Sequence, residues 1–360
     1  MIKQKAMNAI ALFMVTVFVL AACGGNGNGN DATDSSPPGI RQLLANCNTR
    51  PVLGEFDDNA RFDDVNLVDI RFEIVSLVFR LAGQGRFTPR TTMYQHSLHN
   101  TFSDFAEHPV VTLASQIPTM PVGTAYSHIL SMAAHLRYAN GQFTIQDDLS
   151  SLVFDNGLWT HESVSEFINL LNDFYFETNF ADFFAENIDV YMTQSERALR
   201  LAFRPLRFDW FEARGMQRDN MRVVVVPSVM YSNFVHITAE GIVYIIIAEL
   251  RAGEAWASFR PFMLGNLVMP LQGRVADEML AQNPDFYAFA NNLSQELNWP
   301  VDSLAPSLVA VALLTLYRID TEPDFDIASE LNSLSNMFLG MVPDGIEDVL
   351  RMVIAHECNC

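Results

Sequence analysis

Few residues in this chain have the types and spacing that chemistry requires. His161-Glu162 and His356-Glu357 each open as a zinc-peptidase pair would, but the next helical turn offers Ser165 in one case and Cys360 in the other. His356, Cys358 and Cys360 form a trio that suits a soft metal, at the end of the chain where order is poor. His161 falls just after Thr160, a good N-cap, where Glu162 meets the positive end of the helix dipole, so a structural role fits it better. His96 and His99 are three residues apart, and His128 and His135 are seven apart, spacings that also fit hydrogen-bonded rim or core histidines. No Gly-x-Ser-x-Gly, Ser-x-x-Lys or papain-like cysteine is present. Gly83-Gln84-Gly85 is a lone Gly-x-Gly after a helix, with no strand before it, so it is no dinucleotide loop. The only lysines are Lys3 and Lys5, which excludes a P-loop and Schiff-base chemistry in the body of the chain.

The elements that would position these residues are mostly helical. Ile70, Ile74, Leu77, Val78 and Leu81 recur at helical spacing, and Gly83 is placed to stop that helix. Asp104 to Val111 reads as a turn-like segment, and Tyr126 to Leu136 as a second apolar helix. Thr160 caps a third, whose stripe is Val164, Phe167, Ile168, Leu171, Phe174 and Tyr175. The Phe-rich stretch Phe174 to Phe184 could line a groove, with core packing the default, and a polar helix is expected around Ser195 to Phe203. Arg222 to Val226 and Ile242 to Ala248 read as strands. Val275 to Leu297 reads as helix with a break at Pro284, and Leu308 to Tyr317 as a buried helix too short to span a membrane. Phe325 to Ile354 closes the chain with one or two helices. The expected class is α+β, predominantly helical, with a small central sheet.

Composition narrows the partners. The 360 residues are 49% hydrophobic and 18% charged, enough for a substantial core. A net charge of −20 argues against nucleic acid, which needs clustered Lys and Arg. At the N-terminus, Lys3 and Lys5 precede an apolar run from Ala9 to Leu20 that is short for a spanning helix. Leu20-Ala21-Ala22-Cys23 follows and resembles the lipobox of bacterial lipoproteins. That resemblance implies a signal peptide over 1–22, a diacylglycerol-modified Cys23 as mature N-terminus, and a membrane anchor facing outside the cytoplasm. Residues 23–39 then form a Gly/Asn-rich tether, 40–64 a lead-in, and 65–360 one domain. Cys47 could pair with Cys358 or Cys360 in an oxidising compartment, or all three could remain thiols.

The stretch Gly253 to Pro270 follows the most strand-like run of the chain, the layout in which a zinc peptidase places His-Glu-x-x-His. Other stretches point the same way: Arg71 to Gly83, Glu107-His108-Pro109-Val110, Tyr126 to Leu136, Phe180 to Phe184 and Pro227 to Phe234. In that order they resemble a family of secreted bacterial proteins predicted to be gluzincin-like metallopeptidases. Family members that look active carry His-Glu-Phe-x-His-x-x-x-Asn-Pro. Set on Pro270, that motif puts its first histidine at Pro261, its glutamate at Phe262, its second histidine at Gly265 and its asparagine at Met269. The whole slot reads Pro261-Phe262-Met263-Leu264-Gly265. The glutamate that would supply the third ligand falls on Pro306. Catalytic zinc needs three protein ligands and a base, and none of the four groups is here. The resemblance therefore implies a gluzincin-like fold without metal, cofactor or catalytic residue: a pseudopeptidase that binds a peptide or protein. The competing readings are a metallohydrolase using His356, Cys358 and Cys360, and a solute-binding lipoprotein, which lacks support from any two-lobed α/β alternation.

Overall fold

A computed structural model of the chain describes residues 68–84, 93–117, 125–145, 159–198, 206–217, 220–226, 234–239, 241–248, 260–322 and 326–358, and the single positions 40, 43 and 87. In chain order the elements are α1 (Ile70–Leu81), α2 (Met93–Phe102), a 3-10 turn (Ser103–Phe105), α3 (Pro109–Gln116) and α4 (Ala125–His135). Then come β1 (Leu136–Ala139), β2 (Gln142–Ile145), α5 (His161–Glu177), α6 (Phe180–Glu186), α7 (Ile188–Ala198) and α8 (Phe208–Glu212). The remainder is β3 (Met221–Val226), β4 (Phe234–Ala239), β5 (Ile242–Ala248), α9 (Arg260–Gln282), α10 (Pro284–Leu297), α11 (Val301–Thr321), α12 (Ile327–Leu339) and α13 (Ile346–Glu357). The chain is thus a mostly helical α+β protein with small sheets. It divides into two compact units. The first comprises residues 1–57, Arg207–Met216 and Arg260–Cys360, and the second Asp58–Leu206 with Gln217–Phe259.

In the second unit the sequence signals act locally as expected. Asp69 caps α1 by accepting from the Arg71 backbone N–H, and Gly83 follows the helix at φ +70°. Thr160 and Ser163 close a reciprocal capping box on α5. The α5 stripe from Val164 to Tyr175 is buried with Phe72, Phe79, Phe102 and Trp159. Phe174, Phe180 and Phe183 are core, so the Phe-rich stretch packs inward except at Phe176. β3 runs parallel to β5 and β4 antiparallel to it, giving the order β3-β5-β4.

Three expectations change here. Val110 and Val111 belong to a helix, α3, because His108 caps it with its ring and Pro109 sits in the first turn where its missing N–H costs nothing. The polar helix around Ser195 begins earlier, as α7 at Ile188, and is described as far as Ala198; residues 199–203 of the expected helix lie outside the described residues. A hairpin, β1–β2, directly follows α4, turning on Asn140-Gly141 with both residues at positive φ.

In the first unit α11 is the central helix, packed against α9, α10, α12 and α13. It runs for 21 residues, well beyond Leu308 to Tyr317, so by length and composition alone it could cross a membrane. Its most apolar window is 72% buried inside the protein, as a core helix should be. The helix expected from Val275 starts instead at Arg260 and runs through Pro270. Leu264, Leu267, Val268, Leu271, Val275 and Met279 form its buried stripe. That burial outweighs the roughly 3 kcal/mol an interior proline costs. The break before Pro284 is present, capped by the Asn283 side chain.

Candidate functional site

The four degenerate slots fall on two helices of the first unit. Pro261, Phe262 and Gly265 lie in the first two turns of α9, and Pro306 lies in the second turn of α11. These two helices pack directly against each other. Pro261 falls in the first turn, where the missing N–H is tolerated. Gly265 is buried between Leu264 and Asn266, and Pro306 is half-buried between Ala305 and Ser307. Pro306 cannot donate to the Asp302 carbonyl, so this position is a weak point of the helical ladder. Among the described residues no group of three or more His, Cys, Asp or Glu is placed to hold a metal. Cys23 and the tether lie outside the described residues, as do Cys47 and Cys360.

The polar groups of this unit gather around the C-terminal end of α11. Trp210 of α8 donates its indole N–H to Asp320 Oδ2 at 2.7 Å. The Arg214 guanidinium stacks 3.6 Å from the centre of the Trp210 ring, and its Nε lies 2.9 Å from Glu357 Oε2. That N–H is not aligned as a hydrogen bond, so the contact is an ion pair. Arg214 Nη2 is 3.8 Å from Asp320, whose side chain is only 2% exposed. The Arg207 backbone N–H donates to Tyr317 Oη at 2.9 Å. Arg274 Nη2 donates to the Arg214 carbonyl at 3.0 Å. These bonds fasten the short α8 segment to α11 and α13. The Arg207 side chain hydrogen-bonds Asp209 and holds its carboxyl below the usual range.

The soft-metal trio is corrected by the same region. His356 Nε2 lies 3.1 Å from Glu278 Oε2, and Cys358 caps α13 as a buried, disulfide-bonded residue whose partner is outside the described residues. A disulfide sulfur is no thiolate, so Cys358 cannot serve as a ligand in this state.

The remaining histidines are structural or superficial. His135 is a buried core residue whose Nδ1 meets the Ser131 carbonyl at 2.8 Å. The His128 side chain is outside the described residues. His96 and His99 are both exposed on α2. His161 and Glu162 are exposed on the first turn of α5.

A second polar cluster, which sequence reasoning missed, lies in the core of the other unit. Glu73 of α1 is 1% exposed. Tyr94 of α2 donates to Glu73 Oε1 at 2.6 Å, and the Tyr94 and Tyr191 hydroxyls are 2.5 Å apart. Burial, then the Glu73 charge, drives both phenols well above their ordinary pKa. Arg80 Nη2 donates to the Gln95 carbonyl at 3.3 Å. Burial pulls the Arg80 guanidinium down, and the Glu73 charge offsets part of that. The available signal was Glu73, Ser76 and Arg80 at positions i, i+3 and i+7 of an otherwise apolar helix: one polar face where a core face should be.

No model of a known family matches the chain, and neither any curated protein nor any solved structure matches it.

Proposed function

We propose that the protein is a bacterial lipoprotein anchored to a membrane through acylated Cys23, with a gluzincin-like domain that binds a peptide or a protein and cleaves neither. What supports the reading is the α9–α11 pair. Two helices in direct contact carry the four slots of a metallopeptidase centre, and their side chains offer neither a lone pair for zinc nor a group to move a proton. Buried Leu264, Leu267 and Leu308 on the same helices make the neighbourhood apolar, which suits side-chain binding better than hydrolysis. The anchor rests on Leu20-Ala21-Ala22-Cys23 behind an apolar run, and two or more acyl chains give the firm attachment that one cannot.

The test is in two parts. Mass spectrometry of the mature N-terminal peptide should find acylated Cys23, and an unmodified peptide that keeps residues before Cys23 sinks the anchor. The full chain, incubated with a randomised peptide mixture, should retain a subset of peptides and generate no new termini. Chelator-sensitive new termini would make it a peptidase.

A further inference from the structure

His108 caps α3 with a ring that is only 5% exposed. Its Nδ1 accepts the Val110 backbone N–H at 3.2 Å. A ring nitrogen accepts only through a lone pair, so the capping ring is the neutral tautomer with its proton on Nε2. Nε2 lies 3.6 Å from Glu177 Oε2 on α5, and the ring meets Phe174 edge-on. Val110 is fully buried, and its N–H lies in the first helical turn, where no carbonyl of the helix can reach it. The histidine ring is its acceptor. The other end of α3 is held by Gln84, which donates to the Ala114 and Ile117 carbonyls.

We propose that His108 is a pH-sensitive latch, which holds the first turn of α3 while the ring is neutral and releases it on acidification. A second proton goes to Nδ1 and takes the lone pair that Val110 uses. Three effects then act in one direction. A buried N–H loses its acceptor, a cation forms on a ring with almost no access to water, and that cation faces the positive end of a helix. One effect opposes them. The Glu177 carboxylate attracts a charged ring, but its side chain is 62% exposed, so the pair is weak. Asp104, Glu107 and Asp173 are exposed, and none lies within 4 Å of a ring nitrogen. Glu73 and Arg80 of α1 bond to α2 instead. The closed latch therefore favours the neutral ring. It is shut well above about pH 6.5, the ordinary midpoint of imidazole, and loosens as pH falls through that range, because the open form takes up a proton that the closed form resists. The latch is independent of the peptide-binding reading, which concerns helices of the other unit.

The test is hydrogen exchange of the Val110, Val111 and Thr112 amides in the full chain, corrected for the pH dependence of intrinsic exchange. Between pH 7.5 and pH 5.5 their opening equilibrium should rise several-fold, up to about tenfold where the closed ring takes no proton. His108→Asn has a side chain that caps at either pH, so its opening should stay constant. Nitrogen NMR of the wild-type ring at pH 7.5 should show the proton on Nε2 and none on Nδ1, and this reading together with the wild-type exchange carries the test if the variant does not fold. A proton on Nδ1 at pH 7.5, a rise in opening below about twofold, or an equal rise in His108→Asn would overturn the latch.

Discussion

The two units treat buried charge differently. Around the end of α11, several polar groups meet close complements: indole to carboxylate, guanidinium to carboxylate and ring face, backbone N–H to phenol. On α1 the carboxylate is bonded by phenols, while the arginine two turns on keeps one long hydrogen bond. The first arrangement is what fastening a short segment to a bundle requires. The second leaves Arg80 Nη1 and Ser76 Oγ in the core without hydrogen bonds. Pro261, Phe262, Gly265 and Pro306 belong to the unit of the first kind. The loose polar end lies in the other unit, at residues that no motif marks.

The largest effect concerns the whole chain. Arg207–Met216 belongs to the first unit yet is flanked in sequence by stretches of the second, so one cut cannot separate the units. Denaturation should show a single cooperative transition, and limited proteolysis should trim residues 24 to about 60 and leave one core. Two separately stable fragments cut between residues 190 and 240 would contradict the single core, and two resolved unfolding transitions would make the units independent domains.

Alkaline pH probes the second arrangement. Tyr94 and Tyr191 have raised pKa values when folded, so the unfolded chain loses those protons first. Their stabilising contribution is intact below about pH 10 and declines as pH rises above it, by about 1.4 kcal/mol per pH unit for each phenol. Between pH 10 and pH 11 the two phenols together amount to about 3 kcal/mol. Unfolding in urea at pH 9, 10 and 11 should show it, and Tyr94→Phe with Tyr191→Phe should flatten the slope. An unchanged slope would mean these phenols titrate normally.

Asp320→Ala probes the first arrangement. It leaves the buried Trp210 indole N–H without its acceptor and removes one carboxylate from Arg214, at a cost of about 3–5 kcal/mol, since one partner of a buried pair is lost. A loss below about 1 kcal/mol, read from the urea midpoint, would make the network superficial.

The smallest effect is at Arg207–Asp209, where the carboxylate side chain is 41% exposed. Asp209→Asn should cost well under about 1 kcal/mol. The pair's contribution is present above the unfolded carboxyl pKa of about 4 and is lost as pH falls below it, because the folded value is depressed. A pH 3 to pH 6 comparison of wild type and variant should therefore converge at the acid end.

Local signals were legible in the sequence where one rule governs one residue. Asp69, Thr160 and Asn283 cap the helices they precede, and the strands at Arg222 and Ile242 are where β-branched runs put them. Asn140-Gly141 was equally legible as a tight turn, but the strand before it starts at Leu136, directly after the apolar helix that masked it. The start of α9 was not legible because Pro270 argues locally for a boundary and only burial against α11 overrides it. The α1 cluster was legible only in the polar face of Glu73, Ser76 and Arg80, not in its partners. Glu73, Tyr94 and Tyr191 come from three helices, and no spacing within the chain records their meeting.

The central claim is that the α9–α11 pair has the layout of a metallopeptidase centre without its metal. Zinc lowers the pKa of bound water to about 7 only when ligands hold the ion in an open site, and Pro261, Phe262, Gly265 and Pro306 supply none. Elemental analysis of the full chain purified without chelator measures this directly. The account predicts well under one zinc per chain. Stoichiometric zinc, with peptide hydrolysis that is lost on chelation, would contradict it.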